Sequence, residues 1–218
     1  MSKSLSPQDL VSRLTFDWRI IRTMSSAQYV FTAHRTAQHA AAGTSPIGDE
    51  RDARYAMHYR LQFNIPTLIG PGQYSPMTII RVDIADPGYP FTQPTSWVVE
   101  NGVSCLPYSP HFAHGTPVCN GSSWRSDGRY TLGHYAVHLA HLLNWDEQLA
   151  HGYDGYNRAA INWWRKNLNR PISPELIYPA LPIKELYGDV KITTPSAAGF
   201  RAANPTGSQP AGGFRRAG

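Results

Sequence analysis

The sequence predicts one α+β domain. Three observations lead to this prediction: an amphipathic helix near the N-terminus, several short strands with alternating apolar residues, and two helices in the second half of the chain. A run of strands followed by helices, rather than strict alternation of the two, is typical of the α+β class. The chain of 218 residues is long enough for one compact domain. We assign this domain to residues 1–192 and predict a disordered, basic tail at residues 193–218.

The N-terminal segment has the start signals and the period of a helix over about residues 7–22. Ser6 is a favourable N-cap, Pro7 fits the first turn, and Asp9 complements the positive end of the helix dipole. Apolar residues then recur on one face, at Leu10, Leu14, Trp18 and Ile21. We therefore expect this helix to bury one side against the rest of the domain.

Four segments have the composition of strands: residues 28–34, 57–65, 77–85 and 96–100. The second is the clearest, because apolar and polar side chains alternate through its whole length. Short turn-rich pieces such as residues 70–76 join the strands, which predicts an antiparallel meander. Residues 36–54 have no steady period and contain Gly, Pro and a run of charges, so we predict a long loop there.

The second half of the chain begins with an irregular segment, residues 105–128, that contains both cysteines with several prolines and glycines. Long, turn-rich segments of this kind commonly carry function. Helices are predicted over residues 131–145 and 153–168, each with one apolar face. Prolines then predict an extended arm over residues 171–192.

The charge and composition exclude several classes of protein. Four basic residues follow the last acidic one: Lys191, Arg201, Arg215 and Arg216. Removing these four from the formal charge of +5 leaves +1 for residues 1–190, so we expect no nucleic-acid partner. No apolar run approaches the length of a membrane span, and the N-terminus lacks the apolar core of a signal peptide. We therefore expect a cytoplasmic protein without a membrane partner, and two cysteines are too few for a disulfide-stapled scaffold.

Five motifs follow one another within residues 57–168. They are Tyr-Pro-Phe-Thr-Gln-Pro at 89–94, Tyr-Ser-Pro-His-Phe at 108–112, Cys119 with Trp124 downstream, a leucine-bearing helix at 132–143, and Tyr-Asn-Arg-Ala-Ala-Ile-Asn-Trp at 156–163. In order and spacing they resemble the ubiquitin-conjugating enzyme family. The resemblance implies that family's fold: an N-terminal helix, a four-stranded antiparallel meander, an irregular segment with the active-site cysteine, and C-terminal helices.

The resemblance is to a divergent member of the family. Ser109 and His111 stand where the family has histidine and asparagine, the gap from Cys119 to Trp124 is shorter, and the loop at 36–54 is longer. The chain is in this respect similar to the conjugating-enzyme-like proteins of bacterial ubiquitination-like operons. Those proteins act beside an activating enzyme and a small ubiquitin-like protein.

The resemblance implies that Cys119 carries an acyl group. Its thiolate would take the C-terminus of a ubiquitin-like protein from the activating enzyme as a thioester, and would then pass it to an amine. The surroundings agree, because Cys119 lies among small polar residues, including Gly115 and Gly121, that permit close approach of a ligand chain. The alternative is an incidental loop cysteine. Cys105, beside Leu106, is predicted to be a buried and inert thiol.

Two further catalytic candidates accompany the cysteine. His111 can donate a hydrogen bond to the oxyanion of the intermediate, act as a base on the amine, or simply bond to the backbone of its loop. Asp146, beside Glu147, falls in a loop that borders the cysteine in this family, where an acidic group can orient the attacking lysine. A solvated helix end is the alternative interpretation of Asp146.

The resemblance also implies a substrate-binding surface that includes Ser109, His114 and Trp124, and it implies neither a cofactor nor a metal. Three histidines lie on one face of a predicted helix: His134, His138 and His141. This spacing makes a zinc site conceivable, but a polar face opposite the leucine stripe explains the histidines better.

The expected partners are the ubiquitin-like protein and the activating enzyme. The family binds its activating enzyme through the N-terminal helix, where Arg13, Arg19 and Arg22 are predicted to be exposed.

Two other functions compete with the acyl carrier. One is a non-catalytic variant of the same fold that binds ubiquitin-like proteins, although such variants usually lack the cysteine. The other is a Cys–His hydrolase that uses Cys119 with His111 or His134, for which no orienting Asn or Asp motif is evident.

Overall fold

A computed structural model of the chain describes residues 4–84, 88–120, 124–143, 155–167, 179–182 and 186. The elements in chain order are α1 Pro7–Met24, β1 Tyr29–His34, α2 Ala37–Ala42, a 3₁₀ helix Glu50–Tyr55, β2 His58–Phe63, β3 Thr67–Gly70, β4 Gln73–Ser75, β5 Thr78–Asp83, β6 Thr95–Val98, α3 Leu132–Leu143 and α4 Arg158–Lys166. The predicted α+β class, with its N-terminal helix, is confirmed. Within the described residues, no helix is both long and apolar enough to cross a membrane.

The chain divides into two compact units, Met1–Gly188 and Asp189–Gly218. The second unit lies wholly outside the described residues, as does most of the predicted arm at 171–192. The disordered tail predicted from residue 193 onward therefore stays a prediction.

Helix α1 begins where its sequence signals place it. The Ser6 side chain caps the helix by accepting a hydrogen bond from the Asp9 backbone N–H at 3.2 Å, and a proline follows in the first turn. The predicted apolar face is buried, with Leu14, Trp18 and Ile21 in the core. The helix runs two residues beyond the predicted end and stops at Met24.

The sheet has four antiparallel strands in the order β1-β2-β5-β6, so the predicted meander is confirmed. Strand β2 alternates partly and fully buried residues, and its central Leu61 pairs with Phe31 on one side and Ile80 on the other. A small hairpin, β3–β4, is inserted between β2 and β5. The sequence predicted only a turn at this point, because neither strand is long enough to show alternation.

The predicted long loop at 36–54 is wrong, because it contains helix α2 and a 3₁₀ helix. Thr36 caps α2, and Gly43 ends it in the left-handed conformation, with φ of 71°. The guanidinium of Arg60, on β2, donates to the carbonyl of Ala41 at 2.8 Å. Such a short helix shows no clear period, and a contact distant in sequence supports it.

One apolar core joins α1, the sheet and α3. Tyr29, Phe31 and Phe63 form an aromatic cluster on the sheet, with ring centroids 5.3–6.0 Å apart. Helix α3 lies within the predicted span of residues 131–145, of which 144 and 145 lie outside the described residues, and it buries nine of its twelve residues. Burial of each large apolar side chain contributes roughly 1.5–3 kcal/mol, so these layers supply most of the driving force for folding.

Candidate functional site

The irregular segment between the sheet and α3 places Cys119 directly beside His111. The Cys119 backbone N–H donates to the His111 carbonyl at 2.9 Å. The preceding residue, Val118, donates its N–H to the Ser96 carbonyl of β6 at 2.8 Å. The cysteine is therefore anchored to the edge of the sheet and to the 108–112 turn, and its side chain is a partly exposed free thiol.

Asn120 anchors the other side of the cysteine. Its side-chain amide donates to the hydroxyl of Tyr135 on α3, which is also in hydrogen-bond contact with the Ser96 hydroxyl at 2.9 Å and the Pro94 carbonyl at 3.3 Å. Asn120 and Tyr135 are buried. Sequence reasoning missed both roles, because Tyr135 has the position of an ordinary core residue on the apolar face of α3.

The buried Tyr135 hydroxyl stays protonated far above neutral pH. Burial raises the pKa of Tyr135 to about 12, and the hydrogen bonds from its neighbours oppose that rise only in part. The phenol is therefore a neutral partner that fixes the Asn120 amide throughout the physiological range.

We expect the raised pKa of Tyr135 to make the folded protein less stable at alkaline pH. Above about pH 10 the unfolded chain releases this proton, whereas the folded protein keeps it until about pH 12. The free energy of unfolding should therefore fall with rising pH in that window, and Tyr135→Phe should remove about 1.4 kcal/mol per pH unit of the slope. Urea unfolding at a series of alkaline pH values measures this slope.

The matched control is Tyr74→Phe, because Tyr74 is exposed on the β3–β4 hairpin. That variant should retain the full slope of the wild type. Burial also raises the pKa of Tyr59 and Tyr89, so part of the slope should persist in Tyr135→Phe. Equal slopes in Tyr135→Phe and the wild type would contradict the prediction.

The 108–112 turn beside the cysteine is clamped between the two C-terminal helices. The Ser109 hydroxyl donates to the Leu142 carbonyl of α3 at 3.2 Å, and the Trp164 indole of α4 donates to the Tyr108 carbonyl at 3.0 Å. A Cβ at Gly155 would lie 2.2 Å from the carbonyl oxygen of Pro110, so only glycine fits there. The helices thus fix the loop that holds Cys119.

His111 and Ser109 are internal in this arrangement. His111 is 4% exposed and Ser109 is 2% exposed. The predicted site residues Cys119, His111 and Ser109 therefore lie together in one backbone unit, with Cys119 at its surface. The geometry gives Ser109 a contact to α3, and its predicted role in substrate binding stays a prediction.

The other predicted site residues lie in different surroundings. The His114 side chain is 84% exposed and bonds to Glu100 at 3.0 Å. Trp124 is buried and donates its indole N–H to the Pro90 carbonyl at 3.0 Å. Asp146 lies outside the described residues. Cys105 is partly exposed, so its predicted burial is wrong; the preceding residue, Ser104, is buried instead.

A buried charge network ties α1 to the start of α3. Asp17 is 0% exposed and accepts hydrogen bonds from the Arg13 guanidinium at 2.6 Å, the Tyr89 hydroxyl, and the Leu132 backbone N–H at 3.1 Å. Arg13 also donates to the carbonyls of Gly128, at 2.6 Å, and of Tyr130. Asp17 thus accepts the first backbone N–H of α3, while the Thr131 hydroxyl caps the helix locally by accepting from the His134 N–H at 3.4 Å.

This network corrects one prediction about the N-terminal helix. The Arg13 side chain is 12% exposed, so it does not belong to the exposed basic face. Arg19 is exposed and pairs with Glu50, and Arg22 is exposed and donates to the Gly48 carbonyl at 3.0 Å.

The three histidines of α3 do not form one polar face. His138 is buried, whereas His134 and His141 are partly exposed. His134 stacks on Tyr130 with ring centroids 4.8 Å apart and bonds to the Thr131 hydroxyl at 2.8 Å. Throughout the described part of the chain, no three His, Cys, Asp or Glu side chains gather in a way that could hold a metal ion.

No protein-family model matches the chain, and comparison with curated proteins gives no match. The function is therefore argued from the chemistry and geometry of the residues themselves.

Proposed function

We propose that the protein is a ubiquitin-conjugating-like acyl carrier that forms a thioester on Cys119. The observation that supports this most directly is the placement of Cys119: a partly exposed thiol whose backbone N–H bonds to the His111 carbonyl at 2.9 Å. The Tyr-Ser-Pro-His-Phe motif at 108–112 therefore lies against the cysteine, as the resemblance implies. The α+β order of helix, four-stranded meander, irregular segment and helices agrees with that family's fold.

The proposed reaction has two acyl transfers. First, the Cys119 thiolate attacks the activated carbonyl carbon at the C-terminus of a ubiquitin-like protein. A carbon–sulfur bond to Cys119 forms, the bond from the same carbon to the activating enzyme's leaving group breaks, and that group keeps the electron pair and departs with the enzyme. Then an amine nitrogen attacks the same carbon, the carbon–nitrogen bond forms, the carbon–sulfur bond breaks, and Cys119 leaves as the thiolate while the amine loses a proton. Covalent catalysis of this kind divides one difficult transfer into two easier ones.

The surroundings of Cys119 suit a carrier whose acyl chain must reach a fixed thiol. His111 on one side and Asn120 on the other hold the backbone of the cysteine, so the thiol keeps one position while both acyl partners change. The open side of the loop has Gly115 in the left-handed conformation and the exposed His114. We assign the bound C-terminal segment to this side, with His114 as a contact.

The burial of His111 favours a positioning role over a role as base. A base must reach the proton of the incoming amine, whereas a residue that is 4% exposed is enclosed by the protein. His111 therefore supports the loop of Cys119 from the protein interior, and its carbonyl accepts the hydrogen bond from the cysteine backbone N–H. Asparagine, the family's residue at this place, can fill the same space with similar hydrogen-bonding groups.

We expect His111→Asn to transfer its acyl group to free lysine at the wild-type rate from about pH 6 to pH 8, without a break near the imidazole pKa. His111→Ala should slow loading of Cys119 by about tenfold to a hundredfold, because the loop loses its internal support. Single-turnover discharge of the loaded protein measures the first rate. A pH-dependent step that the wild type shows and His111→Asn lacks would identify His111 as the base instead.

Reconstitution distinguishes the candidate functions. The chain is incubated with its activating enzyme, ATP and the ubiquitin-like protein, and the products are separated on a non-reducing gel. An adduct that thiols cleave supports the acyl carrier. Binding of the ubiquitin-like protein without an adduct overturns it in favour of a non-catalytic binder. Cleavage of a thioester or peptide substrate without the activating enzyme overturns it in favour of a hydrolase.

The exposed arginines of α1 are the proposed contact for the activating enzyme. Arg19 and Arg22 are exposed and can contact a partner, whereas Arg13 is largely buried in its ion pair with Asp17 and does not contribute to this contact.

A further inference from the structure

A cleft lies between α1 and the start of α3. This cleft has a volume of about 740 Å³, within the roughly 300–1,000 Å³ that is typical of small-molecule sites. It is formed by one face of α1, the loop that precedes α3, the first turn of α3, and Leu186. Among the described residues, neither Cys119 nor His111 lines it.

The cleft has two arginines available for a ligand. Arg125 and Arg129 are exposed, and neither side chain forms a hydrogen bond or an ion pair with the described residues. Among the described lining residues, Asp127 is the one carboxylate; it accepts a hydrogen bond from the Arg129 backbone N–H at 2.9 Å and leaves an excess of positive charge. Such a local excess of positive charge contrasts with the charge of only +1 that residues 1–190 carry together.

His134 and the Asp17-paired Arg13 also line the cleft. Burial lowers the pKa of His134, and the nearby guanidinium groups of Arg13 and Arg125 lower it further, against the opposing effect of Asp17. Arg125, His134 and Arg13 therefore line one cleft, and the charge of Arg125 acts on His134.

Apolar and aromatic side chains also line the cleft. Phe16 and Leu186 line it, and Tyr130 is half-buried, with one face covered by His134 at 4.8 Å between centroids. A ligand that fills this space therefore meets both exposed guanidinium groups and apolar or aromatic side chains.

We propose that this cleft binds a small phosphate-bearing molecule with an aromatic or apolar body. Arg125 and Arg129 hold the phosphate, because two guanidinium groups match the charge and the fork geometry of a phosphate dianion. The body lies along Phe16 and Leu186, beside Tyr130. This site is separate from the proposed thioester chemistry and does not depend on it.

Calorimetric titration with AMP tests the proposal, because AMP combines a phosphate with an aromatic base. AMP should bind saturably and with an affinity that falls as salt rises, whereas adenosine and pyrophosphate should each bind at least about tenfold more weakly. The double variant Arg125→Ala/Arg129→Ala should lose at least about tenfold in AMP affinity. Both side chains are exposed, so circular dichroism and thermal melting should show an unchanged fold.

The control variant is Arg51→Ala, which removes an exposed arginine far along the chain from the lining residues and should bind AMP as the wild type does. Wild-type affinity in the double variant would overturn the proposal. Adenosine that binds as tightly as AMP would also overturn it, because the phosphate would then contribute nothing to the affinity. Pyrophosphate that binds as tightly as AMP would overturn it as well, because the apolar or aromatic body would contribute nothing. Cys119→Ser should bind AMP normally, so failure of the acyl-carrier function leaves this result intact.

Discussion

Replacing Asp17 with alanine should lower the free energy of unfolding by about 3–5 kcal/mol. The substitution leaves the Arg13 guanidinium enclosed without its anion, and it removes the acceptor for the Tyr89 hydroxyl and for the first backbone N–H of α3. A buried charge that loses its partner is among the most destabilising of single changes. Since domains of this size are stable by about 5–15 kcal/mol, the loss should appear as a large fall in melting temperature and urea midpoint.

Two further variants separate burial of the charge from simple loss of a carboxylate on α1. Asp9 is exposed in the first turn of the same helix, so Asp9→Ala should change the melting temperature only slightly. Asp17→Asn keeps one acceptor oxygen and should lie between the wild type and Asp17→Ala. Equal melting temperatures for Asp17→Ala and Asp9→Ala would show that the buried charge network does not stabilise the fold.

Replacing Cys119 with serine should abolish the thiol-labile adduct in the reconstituted reaction. Serine can still take the acyl group slowly as an oxygen ester, which thiols do not cleave, because the oxygen ester is less activated than the thioester. Cys119→Ala should give no adduct of either kind. Intact-mass measurement before and after thiol treatment distinguishes the three results.

Cys105→Ser is the matched control, because both cysteines are free and partly exposed. It should form the adduct at the wild-type rate, since Cys105 lies outside the unit of Cys119 and His111. An adduct that disappears in Cys105→Ser and persists in Cys119→Ser would move the acyl site to the other cysteine.

The parts of the fold that the sequence predicted are those in which local signals agree. In α1 the Ser6 cap, the proline and the apolar period all indicate one helix, and in β2 the alternation extends along the whole strand. Helix α2 lacked such agreement, because six residues are too few for a period and its end is supported by Arg60 from β2. The β3–β4 hairpin was missed for the same reason, since its strands have only four and three residues.

The sequence likewise predicted some features of the candidate site and missed others. Motif order placed Cys119 and His111 together, and the backbone bond between them agrees. The partnership of Asn120 with Tyr135 was not predictable, because it joins a loop to a helix through one buried hydroxyl. Asp17 did leave a signal: it interrupts the apolar face of α1 between Leu14 and Ile21, where a charge is buried only if it is paired.

The most direct test of Cys119 as an acyl carrier is to isolate the tagged chain from the cells that produce it, with acid quenching and immediate alkylation of free thiols. Mass spectrometry should then find a fraction of Cys119 protected from alkylation and joined through a thioester to the C-terminal carboxyl group of a small protein, while Cys105 is fully alkylated. Complete alkylation of Cys119 in the wild type, together with no oxygen ester in Cys119→Ser, would contradict the proposed function.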